Sequence, residues 1–152
     1  MATASTLVFR QIGMAEKELA KALFRSVFTI EPWNDDWSDP VQLDLYLTDL
    51  MGQSNSLTYG LFEDEQLIGL SMGRVKHWFS GTEYSIDEFC IRTDRQGLGL
   101  GTIFLRKIEN AAREAGLTHL FLLTEKTVPA YDFYLKNGFH VLTDNAAFAK
   151  RI

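Results

Sequence analysis

The chain of 152 residues is 46% hydrophobic and 23% charged, which suits one globular domain over 1–152 with a core that needs no staples. Its net charge of −5 argues against nucleic acid as a partner, because that needs a basic stripe. A lone cysteine, Cys90, excludes an intramolecular disulfide framework and favours a reducing, cytoplasmic setting. The isolated His77, His119 and His140 lack metal-ligand spacing, so no metal is expected. No apolar run approaches a membrane span, and the start MATASTLVFRQ lacks the regions of a signal peptide.

In chain order, TLVFRQ (6–11) reads as a short strand. Met14 to Phe28 follows as a helix, with Leu19, Ala20, Leu23 and Val27 on one face. TIEPWNDDW (29–37) breaks it, and Asp39 with Pro40 makes an N-cap and first-turn pair. The next helix carries the stripe Leu43, Tyr46, Leu47, Leu50. A hairpin is expected at 57–62 and 66–75, and a further strand at EYSIDEFCI (83–91). After a glycine-rich stretch comes a helix with Phe104, Ile108, Ala111, Ala112 and Ala115 in register, stopped by Gly116. HLFLLT (119–124), apolar throughout, is expected as a buried central strand. VPAYDFYLKNG is a short helix, and FHVL and AAFAKRI are expected to close the sheet. The order is β-α-α-β-β-β-α-β-α-β-β.

DRQGLGLGT (94–102) is the first stretch with chemical content. A Walker loop needs Lys-Ser/Thr after its last glycine, and here Thr102 and Ile103 follow Gly101. A dinucleotide fingerprint needs Gly-x-Gly-x-x-Gly; the third position is Thr102 in one frame and Phe104 in the other. An ordinary strand-to-helix turn stays open for the loop alone. Gln96-Gly97-Leu98-Gly99-Leu100-Gly101 nevertheless fits Gln/Arg-x-x-Gly-x-Gly/Ala, and TVPAYDFYLKNGF carries Ala130, Phe133, Tyr134, Gly138 and Phe139 at the spacing Ala-x-x-Phe-Tyr-x-x-x-Gly-Phe. On these motifs the chain resembles the GNAT family of N-acetyltransferases. The motifs span the last two thirds of the chain, and the element order matches throughout. One departure is Thr127, where the family has an asparagine opening the helix.

The resemblance implies an α/β (α+β) fold, with a mixed, mostly antiparallel sheet flanked by helices. It implies acetyl-CoA as cosubstrate and direct attack by a primary amine in a ternary complex. Gln96 to Gly101, Thr102 and Thr127 would hold the cofactor, its diphosphate on the N–H groups that open the following helix. Phe89, Cys90 and Ile91 would line the pantetheine arm. Tyr134 would be the acid that protonates the leaving thiolate, against the plainer reading of a core aromatic. For the base, strict alternation puts Ser85, Asp87 and Phe89 on one strand face and Ile86, Glu88 and Cys90 on the other. In the family, acidic residues or histidines serving as base or water-holder often sit two or four residues before the segment matching Phe89 to Ile91, so the resemblance makes Asp87 the first candidate; Glu88 is the second, because a bulge would swap faces.

Trp33, Asp35 and Trp37 in EPWNDDW, with Trp78 and Asp87, are candidates for the acceptor site. Aromatic faces beside carboxylates suit a cationic amine, such as an amino sugar, an aminoglycoside or a polyamine. The plainer reading has the tryptophans packing helices onto the sheet. A protein or peptide N-acetyltransferase is the alternative, and a non-catalytic acyl-CoA sensor is a further one. The resemblance also implies that sheet edges and the C-terminal strand can mediate a homodimer.

Overall fold

The computed structural model describes residues 5–152. Its five-stranded sheet comprises β1 (Leu7–Ile12), β2 (Ser56–Glu63), β3 (Gln66–Trp78), β4 (Gly81–Ile91) and β5 (His119–Leu122), in the order β1-β2-β3-β4-β5. Pairing is antiparallel except between β4 and β5, which are parallel. Two helices, α1 (Lys17–Phe28) and α2 (Pro40–Met51), cover one face. The other face receives α3 (Leu100–Glu114), and α4 (Pro129–Lys136) follows β5. This is the mixed, mostly antiparallel architecture expected from the sequence.

Two apolar layers sandwich the sheet. Ala20, Leu23, Phe24, Val27 and Phe28 of α1 pack with Leu43, Leu47 and Met51 of α2 onto Leu70, Met72 and Cys90. On the opposite face Phe104, Ile108 and Ala112 of α3 meet Tyr59, Leu61, Tyr84 and Ile86. The inward face of α1 is therefore centred on Leu23, Phe24 and Val27, and Leu19 points to solvent. Ala115 likewise lies outside the core, as the C-cap of α3. Asp39 caps α2 as expected: its Oδ1 accepts from the N–H groups of Val41 and Gln42 at 2.9 and 3.3 Å.

The end of the chain departs from the sequence reading. FHVL and AAFAKRI form no strand, and β5 is the last strand of the sheet, not a central one. Its residues are only partly buried, and Leu123 just beyond it is exposed. The apolar run HLFLLT therefore does not form the expected central strand: among the described residues no strand pairs with its outer edge.

One irregularity in the sheet sets which face the side chains of β4 take. Met72 pairs with Glu88 and Gly73 with Ile86, so Asp87 is an extra residue, a β-bulge in β4. Before the bulge, the even residues Tyr84 and Ile86 face α3. After it the odd residues Phe89 and Ile91 face α3, while Cys90 faces α1 and α2. The bulge needs Gly73 opposite it. A Cβ at Gly73 would overlap the Ser85 carbonyl oxygen and lie 2.7 Å from the Tyr84 ring. Gly73→Ala should therefore force β3 and β4 apart and lower stability by about 2–3 kcal/mol, an overpacking cost. Urea unfolding checks this; a variant as stable as the parent would show that the bulge does not depend on this contact.

Candidate active site

β4 and β5 pair only from Glu83/His119 to Ile86/Leu122. β4 runs on to Ile91 without β5 beside it, so the strands part at the bulge. Beyond Ile86 the backbone of β4 on that side pairs with no strand among the described residues. The open edge leads from Glu88 towards the glycine loop, which begins just after β4.

The loop's glycines have separate causes. Gly97 and Gly99 have φ of +76° and +80°, and a Cβ on either would meet nothing within 4 Å. They are there for backbone conformation, and they leave open space above the loop. Gly101 has an ordinary φ, but a Cβ there would come within 3.1 Å of the Phe133 ring. It lets α3 approach α4. The first helical bond is from Ile103 N–H to the Gly99 carbonyl, so Leu100, Gly101 and Thr102 keep N–H groups without helical acceptors. Gln96 turns back, its Nε2 donating to the Ile91 carbonyl at 2.9 Å. That bond ties the loop to the end of β4. Leu98 is exposed. Arg92 pairs with Asp94, and Arg95 with Glu63, at the base of the loop.

The bulge carries Glu88 to the α1/α2 side, where the Tyr46 hydroxyl donates to its Oε1 at 2.6 Å. Burial pushes the Glu88 carboxyl up to about 7; the Tyr46 hydrogen bond pulls the other way, and the Asp35 and Asp87 charges add to the rise. Burial, then Glu88, keeps the Tyr46 phenol above its ordinary range, so it stays a donor. Asp87, on the bulge itself, is more exposed. Partial burial raises its carboxyl, and Arg74 and Lys76 pull it back. The two acids thus have opposite settings: Asp87 has cations near it, whereas the charges acting on Glu88 are negative.

Tyr46 stacks on Trp37 with ring centroids 5.1 Å apart, and Trp37 meets Phe24 edge-on at 5.4 Å. Trp33 packs on Phe28. Both tryptophans therefore belong to the rim of the α1/α2 layer, and Trp37 also flanks the residue that holds Glu88. The Trp37 indole N–H has no partner among the described residues. Trp78 lies elsewhere. It ends β3 opposite Gly81, roughly 20 Å along the strand from Glu88. It packs with Phe79 on an exposed hairpin tip and forms no wall of this site.

Tyr134, on α4, sits in an aromatic run. Phe89 stacks on Phe104 and Phe133, and Tyr134 meets Phe89, Phe133 and Phe139 edge-on. Burial raises its phenol well above the ordinary value, and Cys90 and Glu88 are near enough to raise it further. Burial also pushes the Cys90 thiol far up, which removes it as a nucleophile. Thr127 does not cap α4; Val128 holds that position without a side-chain bond. Tyr46 was missed as a site residue because its place in an apolar helical stripe reads as core. Its signal was the hydroxyl, which needs a partner when buried.

Comparisons with known proteins place the chain. A family model described as the acetyltransferase (GNAT) family matches residues 17–139. Among solved structures, an aminoglycoside acetyltransferase from an uncultured soil metagenomic sample, in complex with sisomicin, superposes with TM-score 0.74 at 16% identity, covering 96% of each chain. The aminoglycoside N-acetyltransferase AAC(6')-Iy in complex with CoA gives 0.76 at 11% identity, covering 100% of this chain and 99% of that one. A ribosomal-protein-alanine N-acetyltransferase from Brucella melitensis biovar Abortus 2308 gives 0.74 at 14% identity, covering 97% and 100%. At these identities the likeness is one of fold. A search of curated protein sequences gave no match.

The raised Glu88 carboxyl has a stability consequence. The folded chain binds this proton more tightly than the unfolded chain, so stability is full below the ordinary value of 4.5 and falls as pH climbs towards about 7. Glu88→Gln keeps an acceptor for Tyr46 and removes the charge. Its melting temperature relative to the parent should rise from pH 5 to pH 8, by an amount worth roughly 1–3 kcal/mol. An unchanged difference across that range would contradict the burial of the charge.

Proposed function

The chain belongs to the GNAT family of acetyl-CoA-dependent N-acetyltransferases, and from that premise we propose that its acceptor is a small cationic amine held and deprotonated at Glu88. The observation that carries this is the setting of Glu88: a buried carboxyl fixed by Tyr46, raised to about 7, with Asp35 and Asp87 as the charges around it. Such a group takes a proton most effectively near neutral pH. The same negative surroundings favour an ammonium over a neutral ligand. Trp37 and Tyr46 supply an aromatic border, as amino sugars and polyamines require.

Acetyl-CoA supplies the acetyl thioester. The chain's fit to it rests on open space above Gly97 and Gly99, free N–H groups at the start of α3, and the open edge of β4. Gly97 to Thr102 would hold the diphosphate, with Gln96 bracing the loop. The backbone of Phe89 to Ile91 would hold the pantetheine arm, and one N–H of that edge would stabilise the carbonyl oxygen as it gains charge. Glu88 takes the proton from the ammonium, and Asp87 adds negative potential at the entrance. The Tyr134 hydroxyl stays protonated at all working pH values and gives its proton to the departing sulfur. One observation favours a second reading. Trp78 does not wall the site, and the open side that results suits the N-terminus of a peptide.

Release of CoA thiol, followed over aminoglycosides, polyamines and short peptides, tests the acceptor. The proposal expects turnover with the cationic small molecules; turnover with peptides alone would select the second reading. Acetyl-CoA should raise the melting temperature of the parent and of every site variant. Glu88→Gln should lower kcat/KM about a hundredfold at pH 7, the scale of general-base catalysis, with Asp87→Asn acting mainly on KM. Tyr134→Phe should lower kcat and leave acetyl-CoA binding intact. Equal losses for Glu88→Gln and Asp87→Asn would reject the assignment of the base to Glu88.

A further inference from the structure

The two oxygens of the Glu88 carboxyl have different surroundings. Oε1 accepts from the Tyr46 hydroxyl at 2.6 Å. Oε2 accepts no hydrogen bond among the described residues. Nor is Oε2 sealed in the core. Among the same residues, the fully buried polar side-chain atoms without a partner are Trp37 Nε1 and Thr58 Oγ1. One carboxyl oxygen is tied and the other is open.

The phenol that ties Oε1 is itself held in place. The Asp39 cap and Pro40 start α2 at a defined point, and Tyr46 follows about two turns later. Its neighbours Leu43 and Leu47 are buried in the core, which sets the rotation of the helix. Trp37 stacks on the ring with planes 15° apart, and the Phe24 ring of α1 lies 5.8 Å away. Burial, then Glu88, keeps the hydroxyl protonated, so it gives a hydrogen bond and takes no proton.

We propose that Tyr46 is a positioning residue for the proton transfer: its hydroxyl holds Glu88 Oε1 so that Oε2 faces the acceptor and takes the ammonium proton. This rests on the reading of Glu88 as the base. In the step, an N–H bond of the ammonium breaks and the Oε2–H bond forms. The nitrogen keeps the electron pair with which it attacks, and Tyr46 keeps its own proton. A glutamate side chain turns freely about several bonds, and the Tyr46 contact removes that freedom where the reacting atoms must meet. The same bond favours the charged carboxylate, so it opposes burial and the charges of Asp35 and Asp87. Cys90 and Tyr134, also near Glu88, stay neutral and add no charge.

Tyr46→Phe tests this, because it keeps the ring, its stack and its burial and removes the hydroxyl alone. Carbon-detected NMR of the Glu88 carboxyl needs no acceptor. The midpoint should lie higher in Tyr46→Phe than in the parent, and equal midpoints would overturn the proposal. Thiol release is then followed from pH 6 to pH 9 with spermidine and kanamycin as acceptors. At pH 7 kcat should fall about tenfold or more, the scale of a misplaced reacting group, with KM for acetyl-CoA unchanged. The acid limb should move to higher pH, so the deficit narrows towards pH 9. A parent-like kcat, or a loss of equal size at every pH, would overturn the positioning role while leaving Glu88 as the base. Parent-like turnover by Glu88→Gln, or no turnover of either amine by the parent, would instead overturn the reading of the site on which the proposal rests.

Discussion

The arrangement of the candidate site hangs on one extra residue in one strand. Asp87 bulges from β4 because Gly73 across from it has no side chain, and the strand's faces exchange at that point. Glu88 would otherwise project towards α3. Instead it enters the layer between the sheet and the α1/α2 pair, where Tyr46 meets it. The bulge also coincides with the parting of β4 and β5. A single backbone irregularity therefore buries the carboxyl and lies beside the stretch of β4 that β5 leaves unpaired. Bulges commonly re-aim side chains beside active sites, and this one does so through a close backbone contact that tolerates only glycine.

The glycine loop shows a similar economy. Two of its glycines give the backbone a left-handed path, and the third lets Phe133 approach α3. That contact continues through Phe89, which joins α3 and α4 to the strand beside Glu88. The glycine loop and the strand beside Glu88 are thus connected by stacked rings, and Tyr134 is positioned by the same stack.

The order of elements was legible as far as α4, because apolar periodicity, the Asp39–Pro40 start and the Gly116 and Gly138 stops are local signals. The glycine loop and the Tyr-x-x-x-Gly-Phe spacing were legible for the same reason. What failed was non-local. Strict alternation put Ile86, Glu88 and Cys90 on one face; the bulge that separates Ile86 from the other two depends on Gly73, fourteen positions earlier in another strand and invisible to periodicity. Tyr46 read as core because its partner lies on a distant strand. Trp78 read as a wall because adjacency to an acidic strand in sequence was taken for adjacency in space, yet the hairpin tip carries it to the far end. The final strands were read from their composition, and apolar composition does not by itself supply a strand to pair with.

All of this bears on one carboxyl, which burial pushes up to about 7, the Asp35 and Asp87 charges adding to the rise. The most direct test is a carbon-detected NMR titration of the Glu88 side-chain carboxyl, assigned by its loss in Glu88→Gln. The account predicts a midpoint near 7. A midpoint at the ordinary glutamate value of about 4.3 would contradict it.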